Sequence, residues 1–267
     1  MIDPVGKEAN IHGKEWHALH DGYFSDPATA APLIEIIRDA ILISKPEVIV
    51  DLGGGTGFLL RELIRNNIDP GIQLVNLDVS PKQLDMASGK QIRTLRQSLT
   101  DFARADVGDP EKRLLFIMRS VLHYHGRDGL AQLLRYLRNQ MRNGEMFVHQ
   151  TACFERSADA DCMNLLYEQM QTGKWYPTAA QLVQTLEKAG WTVNSVSPAP
   201  ILSLTSYDLG RRYGIDPTRL KEIRDEIMNR FGEKQGVFKK TVDGFCAFLH
   251  YKLFACVAVN ASVASAL

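Results

Sequence analysis

Residues Asp51-Leu52-Gly53-Gly54-Gly55-Thr56-Gly57 carry the most specific chemistry in this chain. They lie between a β-branched run, Glu47 to Leu52, and a helical pattern with Phe58, Leu59, Leu63 and Ile64 on one face. Glycine at such a junction lets the backbone touch a ligand, and the helix start beyond it offers free N–H groups. Three kinds of cofactor use loops of this type. A phosphate-cradling Walker loop needs Gly-Lys-Ser/Thr, which is absent. The dinucleotide pattern G-x-G-x-x-G fails, because Phe58 stands where its third glycine belongs. What remains is acid-x-G-x-G-x-G, with Gly53, Gly55 and Gly57 in phase.

That pattern resembles the first motif of the class I S-adenosylmethionine-dependent methyltransferases, in which the loop wraps the amino-acid end of the cofactor. The resemblance implies S-adenosyl-L-methionine as cofactor, held by Asp51, Gly53, Gly55 and Gly57. Asp78, at the end of the next β-prone run, matches the family's acid that accepts hydrogen bonds from both ribose hydroxyls. A carboxylate suits that task because it can accept from two vicinal hydroxyls at once. Asp106 and Val107 match the position that holds the adenine, although Asp106 reads equally well as a carboxylate capping its own loop. Arg119, closing a further strand, joins the cofactor-binding set.

The segment Phe116-Ile117-Met118-Arg119-Ser120-Val121-Leu122-His123-Tyr124-His125 is similar to the LRxVLHDW stretch of small-molecule O-methyltransferases. In that subfamily the histidine of the Leu-His pair is the general base, and it falls on His123. Tyr124-His125 replaces the subfamily's Asp-Trp, so His125 is a second candidate. Methyl transfer from a sulfonium is an in-line displacement in which positioning removes much of the barrier. A hydroxyl acceptor must also lose a proton, and an imidazole with a pKa of about 6.5 can take it near neutral pH. An amine acceptor needs no such base, so N- or C-directed transfer by positioning is an alternative. A chain that binds cofactor without turnover, as a partner protein, is another.

Aromatic residues supply candidate walls for an acceptor site. Trp16, His20, Tyr23 and Phe24 form an aromatic lid in this reading, and Tyr124 and Trp175 add further wall. Each also fits ordinary packing. His17 and His20 share a helical face with Asp21 nearby, but the sequence offers no further ligand, and no metal is expected.

The elements that must position these residues read as a seven-stranded, mostly parallel Rossmann-like α/β sheet with flanking helices and a helical cap. Strands are expected at Glu47 to Leu52, Gln73 to Val79, Phe102 to Asp106, Leu114 to Arg119, Glu145 to Thr151 and Trp191 to Val196. The long β-prone run Phe248 to Val259 closes the sheet. Ser80-Pro81-Lys82-Gln83 and Thr178 to Gln181 carry capping-box signals, and Asp216-Pro217 starts another helix. Residues 1–44 are expected as an N-terminal helical cap. The core then spans 45–259, with cap insertions near 154–172 and 200–240, and 260–267 form a tail.

Composition narrows the partners. The 267 residues balance 31 Lys plus Arg against 31 Asp plus Glu, and acids interleave with the basic residues of 211–240. A neutral chain without a basic tract has no footprint for a phosphate backbone, so a small-molecule substrate is expected and nucleic acid is not. The Asn/Asp-Pro-Pro-aromatic motif of base-amino methyltransferases is missing, with Arg119-Ser120-Val121-Leu122 in its place. No secretory pattern or apolar run of membrane-spanning length is visible, and the four cysteines are scattered, which points to a cytoplasmic protein without membrane contact. Oligomeric state is open, a homodimer included.

Overall fold

The computed structural model describes residues 22–87, 89 and 91–259. The chain runs α1 (Pro27–Ser44), β1 (Val48–Leu52), α2 (Phe58–Arg65), β2 (Gln73–Asp78), α3 (Pro81–Ala87), β3 (Ile92–Arg96), the short α4 (Arg104–Val107) and β4 (Leu114–Arg119). A single 3-10 turn (Leu122–His125) leads into α5 (Gly126–Asn139), β5 (Met146–Ala152), α6 (Ser157–Gln169), α7 (Ala179–Lys188) and β6 (Trp191–Pro198). Then follow β7 (Leu202–Thr205), α8 (Ser206–Tyr213), α9 (Pro217–Phe231), β8 (Phe238–Thr241), β9 (Gly244–Leu249) and β10 (Tyr251–Ala258).

Seven strands form the main sheet in the order β3-β2-β1-β4-β5-β10-β6. Neighbours from β3 to β5 pair parallel, and β10 is antiparallel to both β5 and β6. β1 and β4 are buried along almost their whole length, as strands covered on both faces must be. On one face, Leu130, Leu133, Leu134 and Leu137 of α5 pack with Leu182 and Leu186 of α7. On the other, Leu33, Ile34 and Ile37 of α1 pack with Leu59, Leu60 and Leu63 of α2. Strand order reverses at β1 and β4, so the crevice between their carboxyl ends is where an open α/β sheet binds its ligand.

The helix starts follow their local chemistry. Asp26 caps α1 through the amides of Ala28 and Thr29, and Pro27 opens the first turn. Thr178 and Gln181 form a reciprocal capping box on α7, and Asp216 caps α9 ahead of Pro217.

Four sequence expectations need correction. The third strand is Ile92–Arg96, not Phe102 to Asp106. It is an edge strand with half-exposed residues, so it needs few apolar ones, whereas Phe102 is buried from a loop against Phe116 and Tyr136. The run Phe248 to Val259 is not one strand, because the chain leaves one sheet and enters another at His250. Residues 200–240 are not purely helical. They supply β7 and β8 to a three-stranded antiparallel sheet, β7-β9-β8, that packs with α6, α8 and α9. Residues 27–44 are not a cap but form α1 in the layer that flanks the main sheet.

The small sheet and its helices enclose a second apolar cluster, which includes Ala152 at the end of β5 and Tyr251 at the start of β10. Both residues lie at the carboxyl edge of the parallel strands, so this unit stands beside the crevice. Among the described residues no helix is long and apolar enough to cross a membrane.

Candidate active site at the carboxyl edge of the sheet

A cleft opens where β1, β2 and β4 end. Its described walls include Asp51, Gly53, Gly54, Gly55, Asp78, Gln83, Gln97 to Leu99, Arg119 to Val121, Tyr124 and His125, with Phe24 at one side.

The glycine loop builds its floor. Gly53, Gly55 and Gly57 have φ of 70°, 55° and 74°, a left-handed conformation that favours glycine. Gly54 is needed for another reason: a Cβ there would lie 2.2 Å from Asn76 Oδ1 and 2.5 Å from Asp51 Cγ. The loop is tied down at both sides. Leu77 O accepts from Gly53 N at 2.7 Å, and Asn76 Nδ2 donates to Gly55 O at 2.8 Å.

Two carboxylates flank the loop. Asp78 Oδ2 accepts from Gly55 N at 2.9 Å, and Oδ1 accepts from Ser80 N at 2.8 Å. A carboxylate has about four acceptor positions, so Asp78 keeps acceptor capacity for a ligand beyond these backbone contacts. Burial raises its pKa, while the backbone hydrogen bonds act against that rise. Asp51 is 1% exposed, and neither oxygen has a hydrogen-bond partner among the described residues. Burial and the nearby Asp78 charge push its pKa up to about 8, against a smaller opposing effect from Arg119. A buried carboxyl with both oxygens unpaired at a ligand cleft is a costly arrangement that a cationic or N–H-bearing ligand would relieve.

The region after β3 differs from expectation. Gln97, Ser98 and Leu99 line the cleft, while Asp106 and Val107 do not. Asp106 accepts from Ala103 N at 2.8 Å and lies 3.4 Å from Gln97 Nε2, so it stands behind Gln97. Val107 is fully buried in the sheet core. Gln97 Oε1 is buried and has no partner among the described residues. Gln97 to Leu99 follow an edge strand of low apolar content, which periodicity in the sequence does not reveal. Gln83, read from sequence as a helix cap, also reaches the loop, because its Oε1 would stand 2.3 Å from a Cβ on Gly55. Gly57 shapes the turn without lining the cleft.

Arg119 lines the cleft and binds the segment before α1. Its guanidinium donates to Tyr23 O, Phe24 O and Gln150 Oε1 at 3.1, 3.2 and 3.1 Å. It also stands over the rings of Tyr23, Phe24 and Phe58 at 5.4 to 5.7 Å. Phe24 is thereby held against the cleft. Tyr23 is one layer back, donating to Pro200 O at 2.6 Å and accepting from Gln150 Nε2 at 2.9 Å.

His123 is not on the cleft wall. It is buried, with ring centroids 4.2 Å from Tyr124 and 5.3 Å from Tyr176, and its carbonyl accepts from Trp175 N. The turn Leu122–His125 instead presents Tyr124 and His125 to the cleft. Burial lowers the His125 pKa, which favours its neutral form. Trp175 packs against the main core under Arg127, away from the cleft. Trp16 and His20 lie outside the described residues, as do His12, His17 and Asp21. Among the described residues no group of three or more His, Cys, Asp or Glu side chains could hold a metal ion.

Comparison with known proteins places this geometry in context. A family model described as a methyltransferase domain matches residues 28–196. A search of curated protein sequences gives no significant match. Among solved structures, a provisionally named methyltransferase from Bacillus halodurans superposes with a TM-score of 0.66 at 13% identity, covering 86% of this chain and 100% of its own. The 1,6-didemethyltoxoflavin-N1-methyltransferase of Burkholderia thailandensis, bound to that compound and S-adenosylhomocysteine, gives 0.54 at 15% identity, covering 96% and 91%. The geranyl diphosphate C-methyltransferase of Streptomyces coelicolor gives 0.52 at 16% identity, covering 86% and 79%. At such identities the likeness is one of fold.

Proposed function

This chain belongs to the family of methyltransferase domains, and from that premise we propose that it transfers a methyl group from S-adenosylmethionine to a small molecule. The observation that carries the cofactor assignment is the unpaired, buried Asp51 carboxyl beneath a loop whose Gly54 leaves no room for a Cβ. Asp51 and the backbone of Gly53 to Gly55 would hold the charged amino-acid end. Asp78 would hold the ribose hydroxyls with its remaining acceptor capacity. Gln97 to Leu99 would face the base, in place of the expected Asp106 and Val107. The bound sulfonium supplies an electrophilic methyl carbon. Calorimetry with S-adenosylhomocysteine and with NAD tests this reading. Micromolar binding of the first and none of the second is expected, and the reverse overturns the assignment.

For the acceptor, we favour a hydroxyl, deprotonated by an imidazole. The position of His125 on the cleft wall supports it as the base over His123, which is packed behind Tyr124. His123 then keeps the Tyr124 ring in place. A neutral His125 within reach of an acceptor hydroxyl can take its proton as the oxygen attacks. N- or C-directed transfer is the second reading, favoured by neighbours of the same fold whose names specify those reactions. In it His125 serves only as wall. The neutral overall charge supports a small acceptor over a nucleic acid.

A further inference from the structure

Ser120 combines three features that the cofactor site does not use. It is a non-glycine residue with φ of 62°, a strained conformation that persists where the surroundings impose it, often at functional sites. It lines the cleft at the end of β4. Its Oγ lies 2.6 Å from the hydroxyl of Tyr251, the first residue of β10.

Hydrogen counting then gives the pair a direction. Two hydroxyls carry two hydrogens, and only one lies between the oxygens. The Tyr251 hydroxyl is buried and bonded only to Ser120 among the described residues. If Ser120 donated to Tyr251, the tyrosine hydrogen would be stranded in the interior without an acceptor, an unfavourable arrangement for a buried donor. The economical arrangement has Tyr251 donating to Ser120, which leaves the serine hydrogen for the cleft. Burial also raises the Tyr251 pKa, so the ring stays a neutral donor.

The side of the cleft follows from the neighbours. Val121 packs over the glycine loop, 2.9 Å from where a Cβ on Gly53 would stand. Ser120 instead meets Tyr251, which belongs to the cluster around the small sheet and stacks on Tyr23 with ring centroids 5.7 Å apart. Tyr251 thus occupies the Oγ on the side away from the loop, and the serine hydrogen is left for the open cleft that Ser120 lines.

We propose that Ser120, oriented by Tyr251, donates a hydrogen bond to a carbonyl-type oxygen of the methyl acceptor. Ser120 is then a substrate-contacting residue and Tyr251 a positioning residue. The substrate class narrows to molecules carrying such an oxygen beside the methylated atom. A neutral hydroxyl pair whose inner member is buried has no exit for a proton, so its part is orientation and not base catalysis.

The inference rests on the methyl-transfer reading, and one experiment separates the two. Protein saturated with S-adenosylhomocysteine is titrated with acetophenone and with ethylbenzene, which share a shape and differ in the carbonyl oxygen. The wild type is expected to prefer acetophenone about five-fold, the ratio that one hydrogen bond of about 1 kcal/mol confers. Ser120→Ala should abolish the preference, and Tyr251→Phe should reduce it, with S-adenosylhomocysteine affinity changed less than about three-fold in both. Ser120→Gly, which relaxes the backbone at φ of 62° and lacks the hydroxyl, should match Ser120→Ala and guards against misfolding. No preference in the wild type, or one that survives both Ser120 variants, overturns the proposal. A large loss of S-adenosylhomocysteine affinity in Ser120→Ala also overturns it and moves the serine to the cofactor. If S-adenosylhomocysteine does not bind the wild type, the methyl-transfer reading itself falls.

Discussion

Asp78 Oδ2 accepts a hydrogen bond from Gly55 N at 2.9 Å, so the acid at the end of β2 also holds the glycine loop after β1 in shape. If Asp78 holds the ribose as proposed, replacing it with Ala removes that contact and releases the loop together. Binding of S-adenosylhomocysteine should weaken by at least 1.5–3 kcal/mol, the range for hydrogen bonds to a charged group. Asp78→Asn, which keeps an acceptor oxygen, should lose less. Calorimetry on both variants checks this, and unchanged affinity in Asp78→Ala would remove the residue from the site.

Asp51 makes the stability of the fold depend on pH. Its pKa of about 8 in the folded protein lies above the unfolded value near 3.9, so the folded state binds the extra proton. Its contribution to stability is therefore fully present below about pH 4 and is lost as pH rises toward 8. Asp51→Asn keeps the shape and cannot ionise. The ligand-free variant should be more stable than the wild type at pH 8 by about 1–3 kcal/mol, with a smaller gap at pH 5. Denaturant titrations at the two pH values test this. In the wild type, cofactor binding at pH 7 should release a proton, seen as a dependence of binding enthalpy on buffer ionisation. Asp51→Asn should release none.

Gly54→Ala should separate crowding from conformational strain. Gly54 has no left-handed φ, yet a Cβ would press on Asn76 and Asp51. Overpacking of this kind costs about 1–3 kcal/mol, and here it would also lift the loop from its floor. Loss of S-adenosylhomocysteine binding with a lowered melting temperature is expected. A neutral result would show that the loop has slack.

Arg119→Met keeps an apolar stem but loses the hydrogen bonds to Tyr23 O and Phe24 O. Hydrogen exchange at Ser25 and Asp26, whose amides bond Gly22 O, should quicken by about tenfold or more. Exchange at the wild-type rate would mean that packing alone holds the segment.

If the acceptor is a hydroxyl and His125 the base, the acid limb of kcat/KM should lie below pH 6.5. A base acts unprotonated, and burial lowers the His125 pKa, so the active form persists to lower pH. His125→Ala should cut turnover by roughly 10²–10⁴-fold. Near-normal turnover in that variant, with the loss appearing in His123→Ala, would return the role to His123.

The glycine loop is legible in the residues themselves because its geometry is local. Positive φ at Gly53, Gly55 and Gly57 and the strand-end carboxylates follow from a strand-loop-helix unit that any α/β sheet reuses. The same holds for the capping residues Thr178 and Asp216, and for the buried strands, whose β-branched runs announce two covered faces. What only the tertiary structure decided depends on which surfaces meet. An edge strand such as Ile92–Arg96 needs little apolar content, so its place, and with it Gln97 to Leu99, was invisible in periodicity. The break at His250 carries no glycine or proline. It exists because β9 covers a small sheet on one face while β10 enters a sheet covered on both. Which histidine of a His-Tyr-His turn faces the cleft, and that Ser120 finds Tyr251 at a sequence distance of 131 residues, are consequences of tertiary packing. Local chemistry writes loops and caps into the chain, whereas the wall of the cleft beyond the glycine loop is made by contacts between segments far apart along it.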